Sequence, residues 1–140
     1  PRQPAAMAPQ TRQINQLVAL RMGEVWPPML ARALATLDHL AEGRLAINII
    51  SSDLPGLKED NEIRYARSGE IIRILRKLWS TDGPLSWRGR FYNFDLATTE
   101  PAKPYQQNGG PLLYFGGISP AAQAISASER FGEPAVVRAG

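Results

Sequence analysis

The chain has no cysteine and only one histidine, His39. The first absence removes disulfides, thiolate nucleophiles and Cys-ligated metals together. The second leaves no histidine cluster for zinc or iron, so no metal site is expected. No apolar run approaches the roughly 20 residues that a membrane-spanning helix needs. The opening residues, PRQPAAMAPQ, lack the apolar centre of a secretory signal, and the expected setting is the cytoplasm, away from any membrane. Charge of one sign is also scarce: the formal net charge is +3, with basic residues scattered rather than striped. Nothing therefore points to nucleic acid.

What is present is enough for one domain of 140 residues with its own core. Residues 1–12 are polar and rich in Pro, Ala and Gln, and are expected to form a disordered arm. INQLVAL (14–20) reads as a strand closed by Arg21, Met22 and Gly23. Pro27 and Pro28 open a helix to about Ala41, with Leu30, Ala33, Leu34, Leu37 and Leu40 or Ala41 as its buried stripe and Gly43 as its stop. LAINII (45–50) has the β-branched, apolar pattern of a strand buried on both faces. Ser51, Ser52 and Asp53 end it, and Leu54, Pro55 and Gly56 begin a turn. A longer helix runs from about Asp60 to Trp79, burying Ile71, Ile72, Ile74, Leu75, Leu78 and Trp79 with Arg73, Arg76 and Lys77 towards water.

Residues 80–110 break the alternation. Trp87, Phe91, Tyr92, Phe94 and Tyr105 lie among Gly, Pro and charge, and Arg88-Gly89-Arg90 is placed to turn a short hairpin. The stretch PLLYFGGISPAAQAI (111–125) then reads as a strand over Leu112–Phe115, a glycine turn, and a helix opening at Pro120 with Ser119 at the N-cap. Free N–H groups and the positive dipole end of that helix would face the turn. Two readings stay open: a phosphate site, or a capped strand-to-helix turn without a ligand. The order strand, helix, strand, helix, insertion, strand, helix predicts a parallel α/β sheet, with ligands at the carboxyl ends of the strands. That edge carries Arg21, Ser51, Ser52, Asp53 and the 116–119 turn. No residue stands out as a catalytic acid, base or nucleophile.

LATLDHLAEGRLAINIISSDLPG (34–56), EIRYARSGEIIRILRKLW (62–79), GRFY (89–92) and PLLYFGGISPAAQA (111–124) occur in one order, and together resemble bacterial-luciferase-like flavin-dependent monooxygenases, the alkanesulfonate monooxygenase branch nearest. The resemblance implies a partial (β/α)8 TIM-type barrel: roughly the third to fifth βα units, with 80–110 as the family's aromatic-rich insertion. It makes residues 1–140 a single partial domain, with 130–140 a divergent tail where relatives continue into another strand. Both that tail and a first residue that is proline are read as signs of a truncated or processed chain.

The resemblance also implies function. Reduced FMN, supplied by a separate flavin reductase, reacts with molecular oxygen to a C4a-peroxide that oxygenates a small organic substrate such as an alkanesulfonate. It implies cofactor contacts at Ser51 and Ser52, with Asn48 beside them, at Tyr65, and at Gly117, Ile118 and Ser119 around the phosphate. Two alternatives stand beside this: a non-catalytic truncated homologue acting as a binding or partner subunit, and a deazaflavin-dependent oxidoreductase. Unpaired strand edges of an incomplete barrel lead to the expectation of a homo-oligomer. Other residues have plainer readings. His39 is a surface or structural histidine, Arg21 pairs with Glu24 or Asp53, and Glu59 and Asp60 are helix N-terminal charges. The Trp and Tyr residues of the insertion form a small core of their own.

Overall fold

Alternation along three strands decides the architecture. The computed structural model describes residues 4–10, 12–100, 103–107 and 109–115. Strands β1 (Gln16–Arg21), β2 (Leu45–Ile50) and β5 (Leu112–Phe115) form a parallel sheet in the order β1-β2-β5. Val18 stands opposite Ile47, and Ile47 opposite Leu113, so like-facing residues line up in rows across the sheet. One face presents Leu45, Ile47, Ile49, Leu113 and Phe115, all buried. The other presents Leu17, Ala19, Arg21, Ala46, Asn48, Ile50, Leu112 and Tyr114, all half-buried or exposed.

Helices α2 (Pro27–Leu40) and α3 (Asn61–Ser80) both cover the first face, where Leu30, Ala31, Leu34, Ile71, Ile74, Leu75 and Leu78 join the strand residues in one core. A doubly wound sheet would carry helices on both faces. Parallel strands in chain order with both long described helices on one side are a segment of a barrel wall. The open face is the side a closed barrel turns inward.

That geometry corrects the expectation that β2 is buried on both faces. It also rotates the buried stripe of α2. Ala33 and Leu40 are exposed, while Ala31, Ala35 and Asp38 are buried in their place. Trp79 explains part of the rotation, because its indole Nε1 donates to the Ala31 carbonyl at 3.2 Å. Asp38 is fully buried and accepts from the Gln106 backbone N–H at 2.8 Å and from its side-chain amide at 2.7 Å. This latch ties the last part of the insertion to the α2–β2 corner. The helix stops through Glu42 and Gly43, both at positive φ, with the Gly43 N–H donating to the Asp38 carbonyl at 3.0 Å.

The six apolar residues assigned to α3 are all buried, and Glu70 joins them at 2% exposure. Arg76 is half-buried rather than turned to water. Strand β1 begins two residues later than expected, leaving Ile14 exposed. A short helix α1 (Pro4–Met7) and a 3-10 turn (Ala8–Gln10) occur in the stretch read as an arm without order. In the insertion, β3 (Leu85–Arg88) pairs antiparallel with β4 (Asn93–Leu96). Its aromatic residues do not make a separate core. Phe94 is buried in the main cluster, Trp87 and Tyr92 pack against it, and Tyr105 is exposed. No helix among the described residues is long and apolar enough to cross a membrane.

Candidate functional site at the carboxyl edge

Ser51 and Ser52 immediately follow β2, and Arg21 ends β1 opposite Ile50, so parallel pairing brings them to one edge. The Ser51 hydroxyl lies 2.6 Å from that of Ser68, a buried residue one turn beyond Tyr65 on α3. The Ser52 hydroxyl accepts from Arg21 Nε at 2.8 Å. Tyr65 is half-buried and its ring lies 5.8 Å from that of Phe115, the last described residue of β5. The structure therefore brings Ser51, Ser52 and Tyr65 to the ends of β2 and β5. Gly117, Ile118 and Ser119, with the helix expected from Pro120, lie outside the described residues.

Cations gather at the same edge. Arg21 donates through Nη1 to Glu24 at 2.8 Å, and not to Asp53. Asp53 instead pairs with Arg64 at 3.2 Å, and Arg64 also donates to the Asn61 side chain. The Nε of Arg64 is buried without a partner among the described residues. Glu59 does not act as a simple helix-end charge: both its oxygens accept from Arg67, whose guanidinium also lies 5.2 Å from the centre of the Phe91 ring. That hydrogen-bonded pairing holds the Glu59 carboxyl below its ordinary pKa and raises Arg67. Gly23, at φ +104°, lets the loop after β1 pass close to this layer, since a Cβ there would lie 3.3 Å from Arg67 Cδ.

Glu70 sets the outer wall of this edge. Its Oε1 accepts from Trp87 Nε1 at 3.1 Å and the Tyr92 N–H at 3.0 Å, and its Oε2 accepts from the Phe91 N–H at 2.9 Å. The carboxylate thus holds the hairpin turn onto α3. Burial is the main cause that raises the Tyr92 phenol above its ordinary pKa, with Glu70 and Glu59 adding to it and Arg67 opposing. His39 is exposed at the end of α2, ahead of β2, with Nε2 at 3.0 Å from the Lys103 carbonyl and its ring edge-on to Tyr105. Among the described residues no group of His, Asp and Glu is arranged to hold a metal.

Sequence reasoning missed Ser68, Glu70, Arg64 and Arg67. A serine, glycine and glutamate in a row on the apolar side of α3, at Ser68, Gly69 and Glu70, was the available signal. Polar groups on a buried stripe need partners, and only the fold names them.

The edge, then, gathers hydroxyls and guanidinium groups at the carboxyl ends of a barrel-type sheet. The chain belongs to the luciferase-like monooxygenases: a model of that family matches residues 3–132. It is 51% identical over 125 residues to a sulfoquinovose monooxygenase of Agrobacterium fabrum, covering 89% of this chain and 32% of the relative. An FMNH(2)-dependent dimethylsulfone monooxygenase of Pseudomonas fluorescens is 37% identical over 129 residues, covering 87% of this chain and 34% of that protein. Among solved structures, the monooxygenase RslO1 of Streptomyces bottropensis superposes with a TM-score of 0.75 at 26% identity, covering 89% of this chain and 39% of the other. The chain therefore spans about a third of the length of these relatives, and the partial α/β barrel follows from the same coverage.

Proposed function

We propose that this chain contributes the phosphate-end wall of the flavin site in a reduced-FMN-dependent monooxygenase acting on an oxidised organosulfur compound. The observation that carries the reading is the convergence of Ser51, Ser52 and Tyr65 on one carboxyl edge in a chain of this family. The residues suit the group. Half-exposed hydroxyls stand beside guanidinium groups, and Arg64 retains a buried donor without a partner among the described residues.

When bound, reduced FMN supplies the oxygen-activating chemistry. The chain's own residues bind and orient. Ser52 and Tyr65 would donate to phosphate or ribityl oxygens, and Ser51 would be aimed by Ser68. The turn at Gly117, Ile118 and Ser119 would add backbone and hydroxyl donors. The relative's name supports FMN over a deazaflavin. Sulfoquinovose and dimethylsulfone in the relatives' names support an organosulfur substrate, and we take an organosulfonate as the substrate class. Reduced flavin would come from a separate reductase in the cytoplasm, and the open sheet face would be covered by a second copy or by further barrel wall.

The test is a titration of the chain with FMN, read by flavin fluorescence on a monodisperse, folded sample. Saturable binding that weakens in Ser119→Ala and in Tyr65→Phe is the expected result. A folded sample that leaves FMN free would sink this reading and favour a non-catalytic binding chain.

A further inference from the structure

We propose that Arg21 reads the charge of the substrate, admitting an anionic sulfonate in preference to an uncharged organosulfur compound. The inference rests on the flavin-monooxygenase reading above, and it adds a residue which that reading does not use.

Placement comes first. Arg21 is the last residue of β1 and lies on the sheet face away from the helices, in line with Leu17 and Ala19 along its own strand. The other described strand residues on that face are Ala46, Asn48, Ile50, Leu112 and Tyr114. None carries a charge at neutral pH. Arg21 is thus the one charged strand residue described on that face, and once its exposed partner Glu24 gives way it attracts an anion entering from that end.

Geometry comes second. Two bonds fix the guanidinium plane, Nε to the Ser52 hydroxyl at 2.8 Å and Nη1 to Glu24 at 2.8 Å. Among the described residues Nη2 has no partner. Ser52 accepts in its bond with Arg21, so its own hydroxyl proton stays available to the flavin oxygens. A sulfonate has three acceptor oxygens. One could take the guanidinium Nη2 and another the Nη1 that Glu24 releases, a charge-assisted arrangement to which the planar arginine fork is suited.

Availability comes third. The other arginines of the edge are committed more deeply. The Arg64 side chain is 18% exposed, though its partner Asp53 is 47% exposed, and Arg67 pairs with Glu59 at exposures of 15% and 13%. The Arg21–Glu24 pair is 38% and 42% exposed. A pair so wet holds weakly, so the Glu24 carboxylate can give way to a ligand oxyanion at little cost. Glu24 then has a role too: it competes with the sulfonate.

The flavin phosphate offers the same oxyanion chemistry, and the experiment separates the two. The chain is saturated with FMN, and binding is followed through the Arg21 side-chain Nε–H resonance and by calorimetry. The probes are sulfoquinovose, glucose and dimethylsulfone. Sulfoquinovose is expected to bind and move that resonance, while glucose and dimethylsulfone leave it in place. Arg21→Met is expected to weaken sulfoquinovose about 10- to 100-fold. Arg21→Lys should fall between, and Glu24→Gln should tighten binding roughly two- to fivefold by removing the competitor. A merely structural arginine would not give that gain.

An unchanged sulfoquinovose affinity in Arg21→Met, or no gain in Glu24→Gln, overturns the proposal. So does a loss in Arg21→Met of FMN affinity but not riboflavin affinity, because the anion read would then be the flavin phosphate. Absence of sulfoquinovose binding by the FMN-saturated chain overturns it alone. Failure of the folded chain to bind FMN at all removes the flavin reading beneath it.

Discussion

Replacing Glu70 by alanine is the perturbation with the largest consequence that the geometry allows to be worked out. The carboxylate is 2% exposed and takes hydrogen bonds from Trp87 Nε1, Phe91 N–H and Tyr92 N–H. Hydrogen bonds to a charged acceptor are worth about 1.5–3 kcal/mol each, and donors left unpaired cost about 1–3 kcal/mol each. The hairpin residues are half-buried, so water can reach part of the gap. Removing the side chain also forfeits about 0.8 kcal/mol for each buried methylene. The sum after partial rehydration is about 4 kcal/mol, a large fraction of a domain's stability of roughly 5–15 kcal/mol.

Glu70→Gln discriminates further. Its remaining carbonyl oxygen can still serve Trp87 and Tyr92, but the amide NH2 would face the Phe91 N–H, donor against donor. A cost of about 2 kcal/mol follows from one bond lost and one donor stranded. The assay is urea unfolding followed by tryptophan fluorescence, with amide exchange as the local readout. Phe91 and Tyr92 should lose protection in Glu70→Ala beyond the global loss. Exposed Glu62→Ala serves as the control, expected within about 0.5 kcal/mol of the parent. Should Glu70→Ala lie within about 1 kcal/mol of the parent at equal slope, the clamp does not hold the hairpin and the reasoning fails.

Three other outcomes are expected. Ser51→Ala and Ser68→Ala each break the 2.6 Å hydroxyl pair, so each should cost about 1 kcal/mol and the double variant little more than either alone, as a double-mutant cycle would show. Asp38→Ala strands the Gln106 backbone N–H and side-chain amide against a buried corner, and should cost about 3 kcal/mol by denaturant unfolding; a cost under about 1 kcal/mol would refute the latch. Tyr92 has its phenol pKa raised by burial, so the fold favours the neutral form. Its contribution is fully present below the ordinary phenol value near 10, and is lost as pH rises through the higher folded value. Phenolate absorbance should show one of the four tyrosines ionising later than the others, and a single common midpoint would contradict this.

The division between what could be read in the residues and what could not follows from the range of the forces involved. Short-range regularities were legible. The six-residue apolar stripe of α3, the Gly43 stop, the hairpin around Gly89 and the three parallel strands all rest on periodicity or on turn chemistry within a few residues. The family, too, was carried by four local motifs in order, and a model of that family matches residues 3–132.

Long-range pairing was not legible. Nothing in the helical spacing of α2 says that Ala31 rather than Ala33 faces inward. That choice is made by Trp79 reaching the Ala31 carbonyl from 48 residues away, and by Asp38 finding Gln106 at a separation of 68. The same holds at the candidate site. Ser51 and Ser52 were placed at the strand end by sequence alone, but Ser68, Arg64, Arg67 and Glu70 enter only once α3 is laid against the sheet. The one-sided covering of the sheet is likewise a tertiary outcome. An apolar, β-branched strand such as β2 suits burial on both faces, and its residues alone cannot say that both helices would settle on one side. Local sequence therefore determined which segments are helix and strand and where ligand-edge residues fall along them. Tertiary packing decided which side chains meet there, because partners far apart in the chain are brought together only by the shared core.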